Sequence, residues 1–274
     1  MPRPLALRRL TLAGAVPIIR RHMFDFQNAT VIVTGAGGGI GRALALTFAQ
    51  EGAKVACCGR RLETLEPVAA EIRANGGTAL PVVVDITDAG QVREAVATIN
   101  RELGPVDLLF NNAGRFNCLG ATWELDAEDW WKDVTANLLG AFLMMQGVLP
   151  QMRERDSGFI INMNGGRPVG GSGYGSSKAA LMEVTRIAAE ELKMDGRNVY
   201  VLGAGPGLVK TEMTQYQADS EAGRRWIPST QKSIDAGTTR SPFDVARKTV
   251  EVLKNFRPEW HGKVYGAGTD LSTF

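Results

Sequence analysis

TVIVTGAGGGIGR, residues 30–42, joins a β-branched run to a glycine cluster that opens a helix. Thr30, Val31, Ile32 and Val33 have almost no polar break, which suits a strand buried on both faces of a parallel sheet. Gly35, Gly37, Gly38, Gly39 and Gly41 follow, where the backbone can take positive φ and admit a close neighbour. Beyond them Ala43, Leu44, Leu46 and Phe48 recur at helical spacing. A glycine turn between a buried strand and a helix N-terminus offers free N–H groups and the positive end of the helix dipole. That is a cradle for the pyrophosphate of a dinucleotide. The spacing Gly35-x-x-x-Gly39-x-Gly41 departs from G-x-G-x-x-G, since Ile40 stands at the third glycine, and no Gly-Lys-Ser/Thr follows as in a P-loop.

The remaining composition is globular, with 274 residues, 44% hydrophobic and 22% charged. A formal charge of +2, with no sustained basic run after residue 21, argues against nucleic acid as the main partner. Three cysteines in no metal or redox spacing point to a reducing compartment, and so to a cytoplasmic protein. Cys57 and Cys58 fall in an expected strand and read as core. His22 and His261 alone give a histidine-based metal or hydrolase centre little material, and no apolar run reaches the length of a membrane span.

Residues 1–22 carry Arg3, Arg8, Arg9, Arg20 and Arg21, no acid, and an apolar middle. Arg20, Arg21 and His22 stand where a secretory cleavage site needs small residues, and the serine of an organellar transit segment is absent. The segment reads as a disordered extension or an upstream start, with residues 23–274 forming one dinucleotide-binding and catalytic domain. Strands are expected at 54–58, 79–84, 106–110, 159–163, 199–202 and 263–265, and helices at 62–75, 88–103, 126–152, 176–194 and 243–256. Such alternation predicts an α/β, doubly wound Rossmann-type fold, a seven-stranded mostly parallel sheet flanked by helices on both faces. Residues 211–240 lack clear periodicity and read as a lid or substrate wall. Trp226, Ile227 and Pro228 within them, with Phe116, Cys118 and Leu119 after the fourth strand, suggest that this wall is apolar.

Tyr174 and Lys178, four apart, project from one face of a helix start. A nearby ammonium favours the phenolate and lowers a pKa that is ordinarily about 10. Tyr174 could then exchange a proton with an alcohol or carbonyl oxygen.

The glycine turn, VDITD at 84–88, NNAG at 111–114, YGSSK at 174–178 and GPGLVKT at 205–211 occur in order at the expected strand ends. In these motifs the chain resembles the short-chain dehydrogenase/reductase family, in its compact single-domain branch, from about residue 26 onward. The resemblance implies an oxidoreductase that moves hydride between a nicotinamide cofactor and a small carbonyl or secondary alcohol substrate. It implies that Gly35, Gly39 and Gly41, with Ile40 among them, hold the pyrophosphate, and that Asp85 and Ile86 contact the adenine. Asn112 and Gly114 would line the cofactor, and Pro206, Gly207, Val209 and Thr211 would face its nicotinamide end. Tyr174 would be the acid/base, Lys178 would bind the nicotinamide ribose and tune Tyr174, and Asn137 would hold a water extending the proton relay. Pairing through the helix containing Trp130 and Asn137 and the one following Tyr174, as a homodimer or homotetramer, is implied in the same way.

Cofactor choice has its own argument. An acid at the end of strand two binds the ribose hydroxyls of NAD, whereas arginine accommodates the 2′-phosphate of NADP. Gly59, Arg60 and Arg61 stand there, so Arg60 predicts NADP(H), with NAD(H) as the alternative. The chain also departs from the family pattern. The catalytic serine of the family lies just after strand five, thirteen positions before the tyrosine, where this chain has Ile161. Aligned on the strand, the serine position falls at Asn164 or Gly165, and no Ser or Thr occurs from 158 through 171. That serine donates a hydrogen bond to the substrate oxygen. Asn164 can donate through its amide and is the favoured substitute; Ser172 could fold back instead, or the site could be impaired. An impaired site would leave a dinucleotide-binding protein in which cofactor occupancy controls assembly or partner contact.

Overall fold

The computed structural model describes residues 23–274, so the reading of residues 1–22 lies outside the described residues. The β-branched run is β1 (Thr30–Thr34), buried at every position. With β2 (Lys54–Gly59), β3 (Thr78–Val83), β4 (Val106–Asn111), β5 (Gly158–Met163), β6 (Val199–Gly205) and β7 (Val264–Gly266) it makes one sheet in the order β3-β2-β1-β4-β5-β6-β7. Every neighbouring pair is parallel, so the sheet is wholly parallel where a mostly parallel one was expected.

The connecting helices are α1 (Gly39–Gln50), α2 (Leu62–Ala74), α3 (Ala89–Leu103), α4 (Ala127–Val134), α5 (Gly140–Arg155) and α6 (Ser172–Met194). After β6 come α7 (Glu212–Asp219), α8 (Glu221–Trp226), α9 (Pro228–Asp235) and α10 (Pro242–Lys254). Alternate strand residues feed opposite layers. Val31, Val33, Val55 and Cys57 pack with α1, α2 and α10, whereas Ile32, Ala56 and Cys58 pack with α3, α5 and α6. Two covered faces explain why these strands read as apolar runs with no polar alternation. Cys57 and Cys58 are core residues, and burial pushes the Cys57 thiol up to about 12.

Two expectations change. The single helix at 126–152 is instead α4, a π turn (Thr135–Leu139) and α5. The widened turn carries Asn137 into the interior, where it is 1% exposed. Residues 211–240 are three short helices, with Thr211 and Ser220 accepting from the backbone at the starts of α7 and α8 and a proline opening α9. Among the described residues, no helix is long and apolar enough to cross a membrane.

Candidate active site

Strand order reverses between β1 and β4, and a cleft of about 420 Å³ opens beyond their carboxyl ends. Gly35, at φ +66°, makes its tight turn, and a Cβ on Gly41 would stand 2.0 Å from the Gly35 carbonyl oxygen. The start of α1 can therefore pack directly onto the loop. It has no side-chain cap and no acid in its first turn, so its leading N–H groups remain available to an anion. These features fit a dinucleotide pyrophosphate. Asn112 braces the opposite wall, its Nδ2 donating to the Thr34 carbonyl at 2.9 Å, while the Thr34 hydroxyl accepts from the N–H groups of Asn112 and Ala113 at 3.0 Å.

Gly35, Gly39, Ile40, Arg60, Asn112, Gly114, Asn164, Tyr174, Lys178, Pro206 and Thr211 all line this one cleft. Gly41, Asp85, Ile86, Asn137, Gly207 and Val209 are not among its lining residues. The Asp85 carboxylate accepts from the N–H and hydroxyl of Thr87, at 2.9 and 2.7 Å, and Ile86 is buried against Gly140. Gly207, at φ +71°, lies beside Arg240, and Val209 bridges to it, which fixes the approach of Thr211. The Thr211 methyl sits 3.2 Å from a Cβ position on Gly39, so the insertion after β6 meets the glycine loop. Sequence reading missed Thr64 and Met213 as lining residues. Thr64 follows the arginine pair by three positions and was within reach of a closer reading. Met213 belongs to α7, which gave no periodic signal.

At the reactive end, α6 begins at Ser172, and so includes Tyr174 in its first turn. Lys178 is buried, and its Nζ donates to the Met163 carbonyl at 2.7 Å and lies 5.7 Å from the centre of the Tyr174 ring. Burial draws Lys178 down to about 8 and pushes Tyr174 up to about 12. The phenol is thus not lowered by its neighbour, as the four-residue spacing suggests, because desolvation dominates and the ammonium is engaged by a carbonyl. The Asn137 side chain accepts from Arg115 N and donates to Arg115 O, each at 2.8 Å. A Cβ on Gly114 would lie 2.8 Å from Asn137 Oδ1 and 3.7 Å from Lys178 Nζ, so this glycine lets the two approach.

The serine gap has a definite shape. Asn164 is 4% exposed, and neither its Oδ1 nor its Nδ2 has a hydrogen-bond partner in the protein. Gly203 leaves it room, a Cβ there falling 2.5 Å from Nδ2. A buried orphan amide costs about 1–3 kcal/mol unless something else satisfies it. Ser172 is engaged elsewhere, its Oγ accepting from Trp130 Nε1 at 3.1 Å. Phe116 stacks on Tyr174 and Trp226 packs on Gly170, while Cys118 and Ile227 are buried in the core, and none of the four lines the cleft.

A phosphate cradle leading to a buried phenol and ammonium on a doubly wound sheet defines a class, the dinucleotide-dependent oxidoreductases. The sequence model for short chain dehydrogenases matches residues 29–222. A short chain dehydrogenase of Pseudocercospora fijiensis is 39% identical over 200 residues, which span 70% of this chain and 63% of that protein. The 3-oxoacyl-(acyl-carrier-protein) reductase FabG of Thermotoga maritima is 35% identical over 194 residues, 69% of this chain and 77% of the relative. A variant of actinorhodin polyketide ketoreductase solved with NADPH has a TM-score of 0.78 at 28% identity, covering 89% of this chain and 97% of its own. The chain belongs to the short-chain dehydrogenase/reductase family, NAD(P)-dependent oxidoreductases that act on CH–OH or C=O groups.

Proposed function

We propose that this protein is a cytoplasmic, NADP(H)-dependent oxidoreductase of a small carbonyl or secondary alcohol substrate, with Tyr174 as acid/base, and that residues 23–274 form one domain that works as a homodimer or homotetramer. The observation that carries the reading is the unpartnered Asn164 amide, buried in the same cleft as Tyr174 and Lys178 and reached from the glycine loop. When bound, the cofactor supplies hydride exchange at C4 of its nicotinamide. Gly35, Gly39 and the start of α1 hold its pyrophosphate, Arg60 and Arg61 its 2′-phosphate, and Asn112, Gly114, Pro206 and Thr211 its flanks.

Tyr174 keeps its proton at neutral pH because burial holds its pKa up to about 12, so it can donate to the oxygen of a carbonyl being reduced. Lys178, at about 8, is still cationic there and stabilises the charge that develops on the phenol oxygen. Asn164 Nδ2 supplies the hydrogen bond that a serine hydroxyl would give. Phe116 covers one face of the Tyr174 ring and shields it from water. The names of two relatives, a 3-oxoacyl reductase and a ketoreductase, favour carbonyl reduction.

The experiment is NADPH oxidation by the purified protein across apolar and polar carbonyls, beside Tyr174→Phe, Asn164→Ala and Ser172→Ala. Turnover is expected in the parent, absent in Tyr174→Phe, about a hundredfold to a thousandfold lower in Asn164→Ala, and retained in Ser172→Ala. NADPH binding without turnover on any carbonyl would instead support cofactor-controlled assembly.

A further inference from the structure

Phe116 is gripped on both sides by side chains from a single helical segment. Asp133 of α4 and Asn137 of the π turn are 0% and 1% exposed, and both reach the segment 115–118. Asn137 holds both backbone polar groups of Arg115. The Asp133 carboxylate accepts from the N–H groups of Asn117 and Cys118, at 3.1 and 3.0 Å, and meets Arg115 Nε at 3.3 Å. Between these grips Phe116 lies on Tyr174, with ring centres 4.4 Å apart and planes 15° from parallel. Behind it Gly171 makes room, since a Cβ there would be 2.6 Å from the Phe116 ring.

A buried carboxylate is costly unless its lone pairs are used. A neutral amide suffices to hold Arg115, as Asn137 does. Asp133 does more, drawing two N–H groups and a guanidinium to one point with charge-assisted bonds. Phe116 lies between the residues it gathers, so the carboxylate sets the height of that ring against the phenol.

We propose that Asp133 is a positioning residue of the active site, seating Phe116 on Tyr174 through the backbone of residues 115–118 and thereby fixing the phenol ring plane and shielding its face from water. This rests on Tyr174 as the acid/base group. The raised pKa of Tyr174 accords with such cover. The charged and titratable groups around Asp133 are Arg115, Asp129 and Cys118, and Lys178 faces the Tyr174 ring.

The test is Asp133→Asn in the full chain, followed by kcat, KM, NADPH affinity and ultraviolet titration of Tyr174, taken as the difference from the same protein bearing Tyr174→Phe. The expected result is kcat lower by about tenfold to a hundredfold, NADPH affinity retained, and Tyr174 ionisation displaced to lower pH by about one unit. The alkaline limb of kcat moves the same way, because a better-solvated phenol loses its proton earlier. Phe116→Leu, which leaves Asp133 intact, should reproduce the displacement, and it decides the matter should Asp133→Asn fail to fold. Unchanged kcat and unchanged Tyr174 ionisation in either folded variant would overturn the proposal. The titration needs no turnover, so a parent that reduces nothing would remove the catalytic assignment of Tyr174 while the seating by Asp133 was still judged.

Discussion

At position 165 the chain has no side chain, and none fits: a Cβ there would stand 2.1 Å from the Tyr174 hydroxyl oxygen. Restoring a hydroxyl with Gly165→Ser should therefore displace the phenol and lower kcat about a hundredfold, while NADPH affinity is kept. Faster turnover in that variant would show that the loop relaxes and that the missing hydroxyl limits the rate. That Tyr174 and Lys178 share one helix face was legible in the sequence because a spacing of four is a geometric statement, whereas their expected roles came from the family resemblance. The state of Tyr174 was not, since its pKa direction depends on burial, which sequence spacing does not report. The same holds for Asn164: its residue type was readable as a donor, but its lack of any protein partner was not. Asp85 and Ile86, implied by resemblance alone, have local partners, Asp85 closing a turn on Thr87 and Ile86 packing on Gly140.

At the scale of elements, the proposed preference for NADP(H) rests on the turn from β2 to α2. Arg60, Arg61 and Thr64 line the cleft there, and α2 begins without a side-chain cap. Arg60→Asp should weaken NADPH binding at least about tenfold, the loss of a charge-assisted hydrogen bond, and leave or improve NADH binding. Titration calorimetry of both nucleotides against both proteins measures this, and equal dissociation constants throughout would remove Arg60 from the site. The strand–helix alternation was legible element by element, because buried parallel strands and amphipathic helices differ in length and period. The π turn was not, since five residues of widened helix leave the apolar spacing almost unaltered. α7, α8 and α9 were not legible either, each being eight residues or fewer, so that too few apolar repeats accumulate to set a face.

At the scale of the molecule, an apolar groove lies away from the chemistry. A groove of about 550 Å³ runs between α5 and α6, lined by Phe142, Leu149, Val184 and Ile187, and Phe142 and Ile187 are 44% and 43% exposed. A helix face left to solvent is ordinarily polar, so this one suits a second copy of the chain. Phe142→Glu combined with Ile187→Glu should bring the mass measured by light scattering down to that of one chain, with NADPH affinity retained. An unchanged mass would refute pairing through this face. The all-parallel strand order also has a consequence for synthesis. Parallel neighbours need a crossover between them, so β1, which leaves the ribosome before the other six strands of this sheet, gains β2 and β3 on one side only. Its other edge, where Thr30 meets Val106, stays bare until β4 has emerged. Through that interval the nascent chain displays an apolar strand with unpaired N–H and C=O groups, an edge open to wrong pairing until β4 covers it.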